Sequence, residues 1–214
     1  MSDAGSPAIP DVRRPDAAAV FVGLHHVPGP ATAQTVLERI GEAWRNSPWP
    51  AGVLSASCYL STEGDTVLTY VQCADRDAHR RFTEALSGPA SGGAVEYRLR
   101  ASVVAQGTAG PPACMVVATF DVDGAERQDK VIGNLLTALD GPAAEQPPGM
   151  LSANFHVSVD TTRVLNYAEW TSDAAHQAFL DSAAHVITRR VSGAVPGVRP
   201  IGFKRYHLYC GTGR

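Results

Sequence analysis

The residue types that could do chemistry cluster in one stretch, GMLSANFHVSVDTTRVLNYAEWTSDAAHQAFL, from Gly149 to Leu180. Alternation through its two strand-like runs, with a turn at Asp160-Thr161, sets Leu151, Ala153, Phe155 and Val157 opposite Trp170, Ala168, Asn166 and Val164 on one face. That face is apolar apart from Asn166. An amide left unpaired in such surroundings costs about 1–3 kcal/mol, so Asn166 needs a partner from the backbone, from water or from a bound molecule. Trp170 follows four residues along the same face, and His176 falls in the first turns of the next helix, so amide, indole and imidazole can line one cavity. Together they supply hydrogen-bonding groups, a stacking surface and a side chain that can act as a base near neutral pH. A structural hydrogen bond for Asn166 and a capping or packing role for His176 are the plainer alternatives.

A fainter copy of the stretch begins at Gly52 and aligns without a gap at an offset of 97, keeping Gly52/Gly149, Leu54/Leu151, Ser55/Ser152, Tyr70/Tyr167, His79/His176 and Phe82/Phe179. In this copy Thr69 stands for Asn166 and Cys73 for Trp170, while His79 matches His176. The duplication thus carries an internal control. It predicts one chemically competent cavity per chain, in the second copy, with Phe155, Leu151 and Phe179 as its apolar contacts to a substrate.

Each copy must be positioned by the elements around it. Residues 1–16 lack periodicity and are expected to be a disordered leader. A strand over Ala19–Val27, a helix over Ala31–Trp44, a hairpin of Val53–Ser61 and Asp65–Cys73, a helix capped by Asp75 and reaching Leu86, and a strand over Ala94–Val104 complete a β-α-β-β-α-β unit over 17–104. After a linker at 105–113 the series repeats over 114–214: strand Cys114–Val122, helix Ala125–Leu139, strands Met150–Val159 and Thr162–Trp170, helix Asp173 to about Val191, strand Arg199–Tyr209. The predicted class is α+β, two tandem ferredoxin-like units. A four-stranded sheet with helices on one face leaves the other bare, so the units are expected to pack sheet to sheet as an intramolecular dimeric α/β barrel, a pseudo-dimer. Homo-oligomers of whole chains are left open.

Bulk properties narrow the function. With 44% hydrophobic and 18% charged residues and a net charge of −3, the chain has no electrostatic footprint for nucleic acid or an anionic membrane. No run reaches the roughly 18 apolar residues of a membrane span, and the expected location is the cytoplasm. Cys58, Cys73, Cys114 and Cys210 are far apart in sequence and read as free thiols, and no histidine spacing suggests a metal site. His25 and His26 are adjacent on a strand and point to opposite faces.

The segment HVSVDTTRVLNYAEW, His156 to Trp170, resembles the antibiotic-biosynthesis monooxygenase family, and in particular the small anthrone oxygenases of aromatic polyketide pathways. Thr161 replaces the glycine usual in that turn. The resemblance is good over the second unit and weak over the first. It implies a monooxygenase that works without metal or flavin on a small aromatic substrate and O₂, converting an anthrone or phenol to a quinone. It carries catalytic roles to Asn166 and Trp170, sets His176 where the family has a tyrosine, and places a later arginine at Arg190, or at Arg189 if the helix is one residue shorter. Either arginine could stabilise an oxyanion or contact the substrate.

Three other readings compete. Haem-degrading enzymes share the fold, and Ala183-Ala184-His185 lies where their ligand helix would be. Reduced flavin could serve an oxygenase of the same fold. A duplicated barrel could also bind a polyketide without acting on it.

Overall fold

The computed structural model describes residues 9–86, 93–107, 110–140, 146–182, 186, 190 and 193–213. Its elements are β1 (Ala19–His26), α1 (Pro30–Asn46), β2 (Val53–Ser61), β3 (Thr66–Cys73), α2 (Arg76–Ala85), β4 (Val95–Val104), β5 (Cys114–Val122), α3 (Ala125–Asp140), β6 (Met150–Ser158), β7 (Arg163–Trp170), α4 (Asp173–Leu180) and β8 (Val198–Gly213). Both halves have the ferredoxin-like order that the sequence predicts. One compact unit comprises Met1–Tyr97 and Tyr206–Arg214, the other Arg98–Arg205, so the divide falls inside β4 and β8, whereas the sequence reading sets it in the linker.

In the first unit the antiparallel order is β1, β3, β2, with Val95–Tyr97 paired to β1 and Tyr206–Gly213 paired to β2. Its core gathers Leu37, Ile40 and Trp44 of α1, Ala78 and Phe82 of α2, and Phe21, Ala56, Val71 and Cys73 of the strands. Residues 9–16 of the expected leader are held on the unit: Val12 is buried, Gln72 Nε2 donates to Asp11 O at 2.8 Å, and Arg14 Nη1 donates to Leu54 O at 3.2 Å. Two buried apolar side chains, Pro10 and Val12, and backbone capping of a buried amide order a segment whose composition suggests no order.

In the second unit β5, β7 and β6 are consecutive, with Val198–Arg205 next to β5 and Arg98–Val104 next to β6. Val131, Ile132, Leu135 and Leu139 of α3 pack on Phe155, Val164, Ala168 and Trp170, so the apolar hairpin face lies under the helices as its pattern requires. The opposite face is polar and buried, and hydrogen bonds offset the desolvation. Ser152 Oγ donates to Glu169 Oε2 at 2.6 Å, Asn154 Nδ2 donates to Ser152 Oγ at 2.7 Å and Tyr167 O at 3.1 Å, and His156 Nδ1 lies 3.0 Å from Asn154 O. Burial holds the His156 imidazole down at about 4, so it is neutral at physiological pH.

The glycine repeated at positions 52 and 149 has a steric cause. Gly149 sits at φ 81°, and a Cβ there would lie 2.6 Å from Ala175 Cβ and 2.8 Å from Thr171 Oγ1; Gly52, at φ 94°, would meet Ala78 Cβ at 3.0 Å. The helix N-termini therefore approach the strand entrances closely only because one partner is glycine and the other alanine. Ser172 and Asp75 cap those helices, accepting from Ala175 N at 3.1 Å and Ala78 N at 2.7 Å.

Two details differ from the sequence reading. Strand β6 pairs Met150 with Trp170 and then Ser152 with Glu169, a bulge in which Leu151 is the extra residue; β2 has the same irregularity between Val53 and Ser55. Strict alternation assigned Leu151 to Trp170, and the bulge gives that place to Met150. The expected long final helix also stops: α4 ends at Leu180, where Asp181 N donates to Gln177 O and the Ser182 hydroxyl donates to Phe179 O at 2.6 Å. Val186, Arg190 and Gly193 are helical again.

Candidate functional site

Asn166 stands on β7 between Ala118 of β5 and Phe155 of β6. Four residues on, Trp170 closes the same face, flanked by Cys114 and Met150. The Ser172 cap starts α4 immediately after the strand, which brings His176 round to the indole: the ring centroids are 5.1 Å apart at an interplanar angle of 68°. Phe179, one turn further, packs on Trp170 at 5.4 Å, and Phe203 of β8 meets the His176 ring edge-on at 5.3 Å and 80°. Trp170 and His176 are both buried.

These groups line a cavity of about 380 Å³ within the second unit. Its walls come from β5, α3, the β6–β7 hairpin and α4, and Pro200–Phe203 of β8 flank it, with Ile201 and Phe203 partly exposed. The lining is predominantly apolar, yet Asn166 Oδ1 and Trp170 Nε1 are buried without a hydrogen-bond partner. A concave apolar slot of ligand size with a few polar side chains in its lining is the ordinary form of a binding site.

Of the residues singled out from the sequence, Asn166, Trp170, His176, Phe155 and Phe179 come together on this cavity. Leu151 does not line it, being the bulged residue, and Met150 does. Arg190 is exposed and is not among the lining residues; Arg189 and His185 lie outside the described residues. The sequence reading missed the contribution of β8, whose Gly202-Phe203 precedes a polar run and gives no periodic signal, and that of Leu135 and Leu139 of α3, read simply as core. The four cysteines are free; burial pushes the Cys73 and Cys114 thiols up to about 12. Among the described residues no group of three or more His, Cys, Asp or Glu side chains is placed to hold a metal ion, and no helix is long and apolar enough to cross a membrane.

A family model described as antibiotic biosynthesis monooxygenase matches residues 114–190, and the second unit therefore carries a domain of that family, as the motif from His156 to Trp170 indicates. A solved structure described as an anthrone oxidase-like protein is 15% identical, covers 93% of this chain and 94% of its own, and superposes with a TM-score of 0.71. One described as a major regulator of staphylococcal pathogenesis is 12% identical, covers 89% and 98%, and gives 0.52. At these identities the likeness is one of fold, and it extends over both units. A monooxygenase from the gene ActVA-Orf6 of Streptomyces coelicolor, solved with nanaomycin D, is 30% identical over 48% of this chain and 88% of its own, with a TM-score of 0.38. No curated protein matches the sequence.

Proposed function

We propose that the second unit is a monooxygenase that converts a flat aromatic polyketide, an anthrone or phenol, to a quinone with O₂ and without a metal or flavin. The observation that carries the reading is an apolar cavity of about 380 Å³ lined together by the amide of Asn166, the indole of Trp170 and the imidazole of His176. Such a volume suits a fused-ring ligand. The domain's family membership supplies the reaction class.

In this reading the substrate is its own reductant. His176 removes a proton from the anthrone methylene or its enol, and the resulting electron-rich anion passes an electron to O₂. The radical pair combines to form a C–O bond, giving a peroxide. Loss of the second methylene hydrogen with cleavage of the O–O bond leaves a carbonyl, and the departing oxygen leaves as water with both hydrogens. One O₂ accepts four electrons, and the change from CH₂ to C=O supplies four, so no further reductant enters. The Trp170 N–H donates to the substrate oxygen on which negative charge develops and Asn166 Oδ1 accepts from a substrate hydroxyl, in a slot where exclusion of water strengthens each bond. Phe155 and Phe179 hold the rings. Arg190, itself exposed, has no step in this scheme.

The test is O₂ consumption with an anthrone as substrate, the protein treated with chelator and freed of flavin. Quinone formed in equal amount to O₂ consumed is the expected result. Turnover that requires added reduced flavin, or a Soret band on adding haemin, would replace this reading with the corresponding cofactor-dependent one; binding of the anthrone without O₂ uptake would leave a carrier.

A further inference from the structure

Outside the Asn166–Trp170 cavity, the first unit has a smaller one of about 150 Å³, whose lining includes Phe21, Trp44, Thr69 and His79. The more reactive side chains of this unit lie elsewhere, where β2 pairs with the end of β8. There Cys58 stands directly opposite Cys210 in an antiparallel ladder. A bulge makes the pairing. Tyr59 faces Leu208 and Cys58 faces Cys210, so Tyr209 is the extra residue, and in an unbroken ladder Tyr209 would face Cys58 instead. Tyr209 is exposed, and its hydroxyl accepts from Gln34 Nε2 of α1 at 3.2 Å.

Both thiols lie on the face that the helices cover. Cys58 is fully buried in the core under α1 and α2, and the partly exposed Cys210 packs against the same core. Directly opposite residues of an antiparallel pair have Cα atoms about 4.5–5.5 Å apart, inside the range of about 4.4–6.8 Å that a disulfide spans. The side chains already meet, the Cys58 S–H donating to the Cys210 sulfur.

The two thiols are not equivalent. Accepting that hydrogen bond, and lying near the Arg45 guanidinium, holds the Cys210 thiol below its usual range, whereas donating it, together with burial, holds Cys58 well above. Gly41 of α1 makes the room: a Cβ there would lie 3.7 Å from Cys210 Sγ and 3.2 Å from Arg45 Nη1, so sulfur and guanidinium converge on the space over one glycine. A partly exposed, more acidic thiol in contact with a second thiol is the arrangement of a peroxide-reactive cysteine and its resolving partner. Cys73 and Cys114 lack it, being buried with thiols pushed up to about 12. At the offset of 97 the second copy has Phe155 in place of Cys58, so it has no counterpart of the pair.

We propose that Cys58 and Cys210 form a reversible modification site, oxidised by hydrogen peroxide to a disulfide that staples β2 to β8. The Cys210 sulfur attacks one peroxide oxygen; an S–O bond forms as the O–O bond breaks, and the departing hydroxide leaves as water with the thiol proton. The Cys58 sulfur then displaces the hydroxyl of the Cys210 sulfenic acid, the S–S bond forms, and that hydroxyl takes the Cys58 proton as a second water. The thiols give up two electrons and the peroxide accepts both. Cys58 needs no access to the oxidant, because it meets only the oxidised Cys210. The site is independent of the oxygenase reading of the second unit.

The test treats the folded full-length chain with hydrogen peroxide, then counts thiols by alkylation after unfolding and locates linked peptides by mass spectrometry. The expected result is two thiols lost of four, one peptide pair joining Cys58 to Cys210, and four thiols again after dithiothreitol. In Cys58→Ser the reaction should stop at a Cys210 sulfenic acid that dimedone traps, and in Cys210→Ser the three remaining thiols should all survive. Four thiols persisting in a large excess of peroxide, a bond to Cys73 or Cys114, or a link between two chains would each overturn the proposal, and these outcomes are read on the unsubstituted chain whether or not either variant folds.

Discussion

The two cavities are made from equivalent positions and teach what a duplication can change without refolding. Both hang from a bulged strand, a glycine at positive φ and a capped helix whose first turns bear a histidine. They differ in how that histidine is held. His79 lies flat on Phe21 in a narrow space, whereas His176 meets Trp170 and Phe203 edge-on, leaving its ring beside an open apolar slot. The first cavity is about 150 Å³ and the second about 380 Å³; the second has Val116 and Leu139 where the first has Phe21 and Trp44, and Asn166 and Trp170 where the first has Thr69 and Cys73.

The largest expected break in the symmetry is in turnover. Asn166→Ala, which loses the acceptor that orients the substrate hydroxyl, and Trp170→Phe, which loses the N–H donor to the developing oxyanion, should each lower kcat by about 10²-fold, while Thr69→Ala and Cys73→Ala should leave it within about twofold. Equal losses from both units would mean the chemistry is elsewhere. Circular dichroism melts of the same variants separate lost catalysis from a cavity-induced loss of stability.

Next comes the proton. Replacing His176 with Phe should lower the rate about 10²-fold and remove the rising limb of the pH–rate profile, whereas His79→Phe should leave profile and rate intact. A folded His176→Phe protein with an unaltered pH profile would end the assignment of His176 as base.

The comparison is sharpened by pH and stability. Burial holds the His156 imidazole at about 4, below the roughly 6.5 of an exposed one, so the unfolded chain protonates first as pH falls. Stability is therefore full above about pH 6.5 and declines down to about pH 4, by on the order of 3 kcal/mol from this residue. His79 has the same sign in the first unit. Urea midpoints at pH 7 and pH 4.5 should show the decline, and His156→Gln should flatten part of it.

Backbone substitutions should give smaller, graded effects. Gly149→Ala combines a positive φ with a Cβ contact at 2.6 Å and should cost about 3 kcal/mol; Gly52→Ala, where the contact is 3.0 Å, should cost less. At the hairpin tips the order reverses. Thr161 adopts φ 63° where Gly64 in the first unit adopts 71°, so Thr161→Gly should stabilise by about 1 kcal/mol, and Gly64→Thr should destabilise by more than that because a Cβ there would also lie 3.0 Å from Pro30 Cγ. Chemical denaturation of the four variants checks both comparisons. In the native turn the strain is partly offset by Asp160, whose carboxylate accepts from the Ser158 and Thr162 hydroxyls and the Thr162 N–H.

The element order, the α+β class and the face of the β6–β7 hairpin that carries Asn166 and Trp170 were all decided by the sequence, because period-2 alternation, capping residues and an ungapped repeat are local signals that tertiary packing reinforced. The motif from His156 to Trp170 likewise brought the family into view. Tertiary structure alone decided three things. It put Met150 in place of Leu151, since a bulge shifts register by one residue and alternation contains no mark of it. It gave the cavity a wall from β8 and from α3, because contacts between segments distant in sequence leave no spacing to read. It also left Asn166 Oδ1 and the Trp44 and Trp170 indoles without partners, since whether a buried polar atom is satisfied depends on every neighbour around it and not on the residue's own type.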